Sequence, residues 1–267
     1  MVRIIYDLNI KRYGDGPKKL VAIHGLGSAS TAWKPLQRAL NKDFELITLD
    51  LPGHGNSVSV ADKKMSPEKL GDLILQALLS EGVEKFHLIG NSLGGWIALE
   101  MAALDSNAVT SVTALSPAGL WHSPPPRRFA PSIDARILAK ISQFFIPIAF
   151  RLPPLKALGY RKITHLWREL SYESCRDSVL AMARSKGYRP LWLGAKGKKF
   201  SSDIDSKVKV AVVFGDSDVM LPENIAQERS VLPSHAEWIR VKNCAHVIMW
   251  NFPKLTCEYI KKTAGLK

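Results

Sequence analysis

The chain has 267 residues, of which 46% are apolar and 23% are charged, and its formal net charge is +13. A chain of this length and composition can bury the core of one large domain, which excludes a disordered polyelectrolyte, a collagen and a coiled coil. No apolar run reaches the roughly 18 residues that a membrane-spanning helix needs. The charged N-terminus does not fit a signal peptide, and the three scattered cysteines fit neither a disulfide framework nor a zinc cluster. These features predict a cytoplasmic protein without a metal site.

Short apolar runs alternate with helical patterns along the first 116 residues, and the alternation resumes after residue 206. The runs predict strands at 20–23, 44–49, 86–89, 109–115, 208–214 and 236–241, and the helical patterns predict helices at 32–40, 67–79, 96–103 and 253–262. Continuously apolar strands are typical of a parallel sheet that helices cover on both faces. The predicted fold is therefore an α/β fold with a doubly wound, mostly parallel sheet.

Residues 117–206 carry a different pattern. They show no clear strand, several amphipathic helical stretches and two proline clusters, at 124–126 and 153–154. We interpret this segment as a helical cap inserted between two strands of the sheet. The predicted domains are a core formed by 1–116 and 207–267 and a cap formed by 117–206.

The positive charge is concentrated in the predicted cap, where residues 117–206 contain 16 basic and 6 acidic side chains. Such an excess is either a solvated face, an attraction to an anionic membrane surface or a means of steering an acidic substrate. The candidate contacts are Arg127, Arg128, Arg161 and Lys162. No zinc spacing, helix-turn-helix pattern or alternation of aromatic and basic residues accompanies the charge, which argues against a nucleic-acid partner.

The strongest chemical motif is Gly90-Asn91-Ser92-Leu93-Gly94-Gly95, directly after a predicted strand and before a predicted helix. Glycines two positions before and after a serine allow the very tight strand-to-helix turn that exposes a nucleophilic hydroxyl. The helix dipole then favours negative charge that develops beside the serine. Ser92 is therefore the candidate nucleophile.

A serine needs a base that a third group holds in place. His246 lies in a loop between the last predicted strand and the final helix, and Asp216 and Asp218 directly follow the strand at 208–214. Both aspartates are candidates, and Asp218 is preferred. The chain order of serine, aspartate and histidine is the order that this type of strand-turn-helix site uses.

Two glycine-rich loops complete the predicted site. The segment 24–27, His-Gly-Leu-Gly, follows the first buried strand, and the backbone N–H groups of Leu26 and Leu93 are the candidate oxyanion hole. The segment 50–57 follows the next strand, and we interpret its His54 as a residue that shapes the loop rather than as a base. A dinucleotide site at 25–30 is disfavoured, because the third glycine of the fingerprint is missing.

At this point the chain resembles the α/β-hydrolase superfamily, of the kind with a helical cap. The matching motifs are HGLG at 24–27, DLPGHGNS at 50–57, GNSLGG at 90–95, GDSDVMLP at 215–222 and CAH at 244–246. The resemblance implies a triad of Ser92, Asp218 and His246, an oxyanion hole at Leu26 and Leu93, and no cofactor. The Asp-x-x-x-Pro pattern from Asp218 is what selects that aspartate over Asp216. Ala245 and Asn251 depart from residues that many members carry beside the histidine, which affects the subfamily and not the mechanism.

The predicted activity is cleavage of small carboxylic esters with hydrophobic, short- to medium-chain acyl groups. An apolar stretch at 137–150 either packs the cap onto the core or lines an acyl pocket, and Phe144 and Phe145 are the candidate pocket residues within it. Gly25 and Val247, which adjoin the oxyanion loop and the histidine, complete the candidate substrate-binding residues.

Several other functions stay open at the level of sequence. The same oxyanion chemistry serves lactonases and thioesterases. The elbow with paired glycines also resembles carbon–carbon bond hydrolases of aromatic ring-fission products, although Val247 stands where that group has an aromatic residue. A ligand receptor on a hydrolase scaffold is the alternative without catalysis, and the intact set of three side chains argues for an enzyme. The sequence does not predict the oligomeric state.

Overall fold

The computed structural model describes residues 7–58, 64–123 and 133–266. The proline cluster at 124–126, Arg127 and Arg128 lie outside the described residues. No helix among the described residues is long and apolar enough to cross a membrane.

The described residues form a seven-stranded sheet with the spatial order β1-β3-β2-β4-β5-β6-β7. The strands are β1 (Ile10–Tyr13), β2 (Lys18–Ile23), β3 (Phe44–Leu49), β4 (Phe86–Asn91), β5 (Val109–Leu115), β6 (Lys209–Gly215) and β7 (Glu237–Val241). Only the edge strand β1 is antiparallel to its neighbour, and every other pair is parallel. This topology confirms the predicted fold class.

Eleven α-helices connect or follow the strands of the described chain. They are α1 (Lys34–Leu40), α2 (Pro67–Ser80), α3 (Leu93–Leu104), α4 (Ile133–Ser142), α5 (Ile146–Arg151), α6 (Pro153–Tyr160), α7 (Tyr172–Arg184), α8 (Tyr188–Ala195), α9 (Glu223–Ala226), α10 (Ile248–Asn251) and α11 (Pro253–Thr263). Helices α4 to α8 lie in sequence between β5 and β6, in the segment expected to be helical. We call residues 133–195 the helical insertion; its status as a separate cap domain stays a prediction.

The core lies on both faces of the sheet, because successive side chains of a strand point to opposite faces. On β2, Val21 and Ile23 pack in the cluster that contains α2 and α3, whereas Leu20 and Ala22 pack in the cluster that contains α1 and α11. Strand β2 is therefore apolar at the consecutive positions 20–23, which is the pattern seen in the sequence.

Helix α2 shows why its limits could be predicted. Ser66 is the N-cap, and its hydroxyl accepts a hydrogen bond from the backbone N–H of Lys69 at 3.3 Å. Pro67 occupies the first turn, where its missing N–H costs nothing. Leu70, Ile74 and Leu78 recur at a spacing of four and are buried. Capping and apolar spacing together fix where this helix begins and which face it buries.

Candidate active site

The parallel strands end at one edge of the sheet, and the candidate residues follow those ends. Ile23 of β2 pairs with Gly90 of β4, and Gly215 of β6 pairs with Val241 of β7. The loops after these strands therefore leave the sheet at the same edge. In open α/β sheets, ligands bind outside the carboxyl ends of the strands.

Ser92 lies on a sharp turn between β4 and α3. Its backbone has φ 56° and ψ −117°, a combination that residues with a side chain rarely adopt. The flanking glycines make this turn possible. A Cβ atom on Gly90 would lie 2.2 Å from the carbonyl oxygen of Gly94, and one on Gly94 would lie 2.1 Å from the carbonyl oxygen of Ile23. Only a residue without a Cβ atom fits at positions 90 and 94, so the two glycines of the motif allow the strained turn at Ser92.

His246 and Asp218 form a buried pair. Nδ1 of His246 lies 2.8 Å from Oδ2 of Asp218, and the other carboxylate oxygen accepts hydrogen bonds from the backbone N–H groups of Met220 and Leu221, each at 2.9 Å. Burial raises the pKa of Asp218, but the charge and hydrogen bond of His246 outweigh it and leave the pKa below its usual value. The carboxylate is therefore ionised at neutral pH and holds the imidazole by Nδ1, which leaves Nε2 for chemistry.

Ser92 and His246 line one cavity. The structure shows no direct hydrogen bond between the Ser92 hydroxyl and the ring of His246, in contrast to the short bond between His246 and Asp218. Bonds of this kind are often long until a substrate binds. The structure therefore brings serine and histidine to the same cavity and shows the hydrogen bond of the histidine to its carboxylate.

Asp216, the alternative acid, makes other contacts. Its Oδ1 atom accepts hydrogen bonds from the Ser217 hydroxyl at 2.8 Å and from the backbone N–H of Cys244 at 3.3 Å. The first of these bonds is the main reason that the pKa of Asp216 is lowered. Asp216 thus ties its own loop to the loop that carries His246, whereas Asp218 contacts the imidazole itself.

The oxyanion candidates Leu26 and Leu93 both line the cavity. Leu93 is the first residue of α3, where backbone N–H groups have no acceptor within the helix. Gly25 brings the first loop close to the nucleophile, since a Cβ atom there would lie 3.2 Å from the Cβ atom of Ser92. The two backbone segments therefore approach each other beside the serine hydroxyl.

Two buried histidines fix the shape of that first loop. Nε2 of His54 accepts the backbone N–H of Gly27 at 3.1 Å, and Nε2 of His24 accepts the backbone N–H of Leu51 at 3.0 Å. Nδ1 of each ring then donates to a backbone carbonyl, that of Pro52 for His54 and that of Gly25 for His24. Burial is the main cause that lowers the pKa of His54, to about 3. His54 is neutral and fully engaged, which agrees with its predicted role in shaping the loop.

The cavity has a volume of about 330 Å³. Its wall on the sheet side comes from the loops described above, and the helical insertion supplies the opposite wall. The lining residues of the insertion include Ile163, Ser178, Met182, Tyr188, Trp192 and Ala195. Most of these side chains are apolar or aromatic, so the cavity suits an apolar ligand with one polar group at Ser92.

The structure places the predicted substrate-binding residues in two different environments. Gly25 and Val247 line the cavity. Phe144 and Phe145 do not line it, and they are 77% and 55% exposed. Both phenylalanines lie in the turn between α4 and α5, so the cavity gives no support to the prediction that they contact the substrate, which stays a prediction.

Sequence reasoning missed the role of Asn91, the residue before the nucleophile. Its buried side-chain amide donates to the backbone carbonyl of Leu115 at 3.1 Å and to that of His246 at 3.2 Å. Asn91 thereby connects the elbow to the loop that carries the histidine. Its position inside the glycine motif was the only sequence signal. Met182, Tyr188 and Trp192 were missed because nothing local distinguishes them from core residues.

The sequence profile of the alpha/beta hydrolase family matches residues 20–258. The chain belongs to this family. The match begins within β2 and ends within α11, so it covers the loops of the site and the helical insertion but not β1.

Individual relatives are similar over different parts of the hydrolase. A pimeloyl-[acyl-carrier protein] methyl ester esterase of Vibrio atlanticus is 26% identical over 238 residues, which cover 84% of this chain and 85% of that protein. The acetyltransferase component of an acetoin cleaving system of Pseudomonas putida is 36% identical over 110 residues, which cover 41% of this chain and 30% of that protein. The hydrolase thus spans less than half the length of some of its curated relatives.

A solved structure shares the fold across almost the whole hydrolase. Carboxylesterase CesB from Bacillus subtilis has a TM-score of 0.73 and 19% sequence identity, and the alignment covers 98% of this chain and 89% of that chain. At this level of identity the similarity shows the fold alone.

Proposed function

We propose that the hydrolase is a serine carboxylesterase that forms an acyl-enzyme on Ser92. The observation that carries the proposal is the 2.8 Å contact of His246 with Asp218 inside a cavity that also holds Ser92 on its strained turn. A nucleophile, a base and a group that orients the base are the parts that such catalysis requires.

In the first step, Nε2 of His246 takes the proton of the Ser92 hydroxyl while the oxygen attacks the ester carbonyl. The N–H groups of Leu26 and Leu93 stabilise the negative charge on the carbonyl oxygen. Asp218 stabilises the imidazolium that forms. The intermediate then expels the alcohol, which receives its proton from His246.

In the second step, water attacks the acyl group on Ser92. Nε2 of His246 now takes a proton from the water, and the same N–H groups stabilise the second tetrahedral intermediate. The acid leaves, and the proton returns to the Ser92 oxygen. Every step uses side chains and backbone groups of this chain, so the proposal invokes no cofactor.

The cavity supports a hydrophobic acyl group of short to medium length. Its volume of about 330 Å³ equals that of roughly eleven water molecules. Trp96, Met182 and Trp192 give it an apolar lining. The methyl ester esterase among the relatives acts on an ester, as its name states, and this also favours ester cleavage over the alternatives.

A panel of p-nitrophenyl esters with graded acyl chains, measured beside a vinylogous 1,5-diketone acid, tests the proposal. We expect kcat/KM to be highest for acyl chains of about four to eight carbons, and the diketone to react slowly. A strong preference for the diketone would instead assign the hydrolase to carbon–carbon bond cleavage.

Covalent labelling with a fluorophosphonate separates the enzyme from a receptor that uses the same scaffold. We expect labelling of the wild type and none of Ser92→Ala. A folded wild type that resists the reagent contradicts an activated serine, whatever the ester panel gives.

A further inference from the structure

Residues 137–158 of the helical insertion expose many large apolar side chains. Nine of them are at least 46% exposed, and we call them the apolar patch: Ile137, Leu138, Ile141, Phe144, Phe145, Ile148, Leu152, Leu155 and Leu158. Elsewhere in the described chain, large apolar side chains with comparable exposure are few and scattered. Monomeric proteins rarely expose apolar surface in such concentration unless it binds something.

The helices that carry the patch are fixed from their other side. Ile146 and Tyr160 are buried, and the Tyr160 hydroxyl donates to the backbone carbonyl of Cys175 at 3.0 Å. The buried ammonium of Lys156 donates to the backbone carbonyls of Arg168 and Leu170, each at 2.8 Å. Since these polar groups are satisfied inside the insertion, turning the helices over would leave them unpaired. The hydrogen bonds of these buried groups therefore keep the opposite side of the helices, with the patch, facing outward.

The patch lies in a strongly basic segment. Residues 136–162 contain six basic side chains and no acidic one. Lys140, Arg151, Arg161 and Lys162 are exposed, and none of the four forms an ion pair with a described residue. Apolar side chains beside unpaired cations are the composition of helices that lie in the interface of an anionic bilayer.

One end of the apolar patch, at Ile137, lines a cavity together with a residue of the candidate active site. A second cavity, of about 200 Å³, is lined by Arg136, Ile137, Lys140, Tyr188 and Arg189. Tyr188 also lines the cavity that holds Ser92. A surface bound to the patch would therefore lie next to the helix that forms one wall of the catalytic cavity.

We propose that the apolar patch docks on an anionic lipid bilayer. The apolar side chains enter the region between headgroups and acyl chains, and Lys140, Arg151, Arg161 and Lys162 contact the lipid phosphates. This inference goes beyond ester hydrolysis, because it concerns where the protein resides and not which bond it cleaves.

Vesicle sedimentation tests the docking, with Ser92→Ala as the parent protein so that no lipid is hydrolysed. We expect binding to phosphatidylcholine vesicles with about 30 mol % phosphatidylglycerol, and binding that is at least about tenfold weaker without the anionic lipid. Binding should also weaken as salt screens the charges.

Two sets of variants locate the surface. The triple change Ile141→Gln, Ile148→Gln and Leu158→Gln, one on each of α4, α5 and α6, should reduce vesicle binding by about tenfold or more. The control variant carries Leu79→Gln and Leu104→Gln at exposed positions of α2 and α3, outside the patch. This variant should bind the vesicles like the parent. Thermal unfolding checks that both variants fold.

Several outcomes overturn the docking. One is a parent protein that stays in the supernatant when anionic vesicles are sedimented. Another is a triple variant that binds the vesicles as well as the parent does. A third outcome is a parent protein that is dimeric and binds no vesicles, together with a triple variant that is monomeric. In that case a second copy of the chain would cover the patch. A wild-type protein that cleaves none of the p-nitrophenyl esters, while the Ser92→Ala parent binds the vesicles, would refute the proposed function alone.

Discussion

At Ser92, a backbone conformation that costs about 1–3 kcal/mol persists because neighbouring groups hold it. The N–H of Ser92 donates to the carbonyl of Leu115 at 3.0 Å, and the carbonyl of Ser92 accepts the N–H of Ala118 at 3.0 Å and that of Trp96 at 3.1 Å. The strained residue is therefore tied to the end of β5, to the loop that follows it and to α3. Such bonds keep the hydroxyl in one place before any substrate arrives.

The substitution Gly94→Ala tests the steric argument for the elbow. Its Cβ atom would lie 2.1 Å from the backbone oxygen of Ile23, which cannot move without distorting β2. We expect the free energy of unfolding to fall by about 3 kcal/mol or more, measured by urea denaturation. Gly159→Ala is the matched control, because no atom lies within 4 Å of its added Cβ, and it should leave stability unchanged or slightly higher.

The pair Asp218→Asn and Asp216→Asn tests which carboxylate orients the histidine. Asp218 contacts Nδ1 of His246, so its amide variant should lower kcat by about 10⁴-fold with p-nitrophenyl butyrate. Asp216 hydrogen-bonds Ser217 and the backbone of Cys244 and does not bond His246, so its amide variant should change kcat by about threefold at most. Equal losses in the two variants would contradict the proposed roles.

At the scale of elements, hydrogen bonds join the loop after β2 and the loop after β3 into one unit. His54 accepts the N–H of Gly27, and Asp50 accepts the N–H of Ser30 at 2.6 Å and that of Asn56 at 3.0 Å. The segment that presents Leu26 is thus supported by the loop that follows the neighbouring strand. The position of Leu26, the proposed oxyanion donor, therefore depends on side chains that do not line the cavity.

This loop unit makes the stability depend on pH. An unfolded chain protonates a histidine near pH 6.5, whereas folded His54 stays neutral down to about pH 3. The unfolded state therefore binds the extra proton, and the free energy of unfolding falls as the pH drops below about 6.5. We expect His54 to contribute a loss of about 2 kcal/mol between pH 6.5 and pH 5.

Urea denaturation at several pH values, with His54→Gln beside the wild type, measures this effect. The variant should be less stable at neutral pH, because Gly27 loses its acceptor, but its stability should fall less steeply toward pH 5. His165→Gln, which changes an exposed histidine, is the control and should keep the slope of the wild type. If the free energy of unfolding of His54→Gln and of the wild type fell in parallel with pH, His54 would not be the source of the pH dependence.

At the scale of the whole molecule, the cavity that Ser92 lines lies between the sheet loops and the helical insertion, so its shape depends on how the insertion is held. Lys34 of α1 forms ion pairs with Glu173 and Asp177 of α7, both at 2.6 Å. These bonds connect the core to the helix that supplies Ser178 and Met182 to the cavity wall. Because the pairs are partly exposed, their contribution to global stability is small, about 1 kcal/mol or less.

The substitution Lys34→Gln should therefore act on the insertion more than on the fold. We expect faster limited proteolysis within the insertion and a higher KM for the longer p-nitrophenyl esters, with a change in unfolding free energy of about 1 kcal/mol at most. Lys262→Gln breaks an ion pair with Glu237 away from the cavity, and it should leave KM unchanged. If both variants raise KM alike, the α1–α7 contact has no special role.

The sequence by itself predicted six of the seven strands and proposed catalytic side chains at the ends of those strands. The predicted strands at 44–49 and 109–115 have the limits of β3 and β5, because continuously apolar runs between turn residues leave few alternatives. It missed β1, whose four residues form a half-exposed edge strand and carry too short a pattern to detect. Ser92 and His246 were identifiable because their motifs are local and follow strand ends.

Tertiary structure alone decided which residues meet across the chain. Asp218 and Asp216 are equivalent in a hydrophobicity pattern, and only the fold of two separate loops puts one of them against His246. Leu138 and Met182 are both apolar residues in helices of the insertion, yet Leu138 is exposed and Met182 lines the cavity. The physical reason is that a side chain's surroundings depend on long-range packing, which local spacing does not encode.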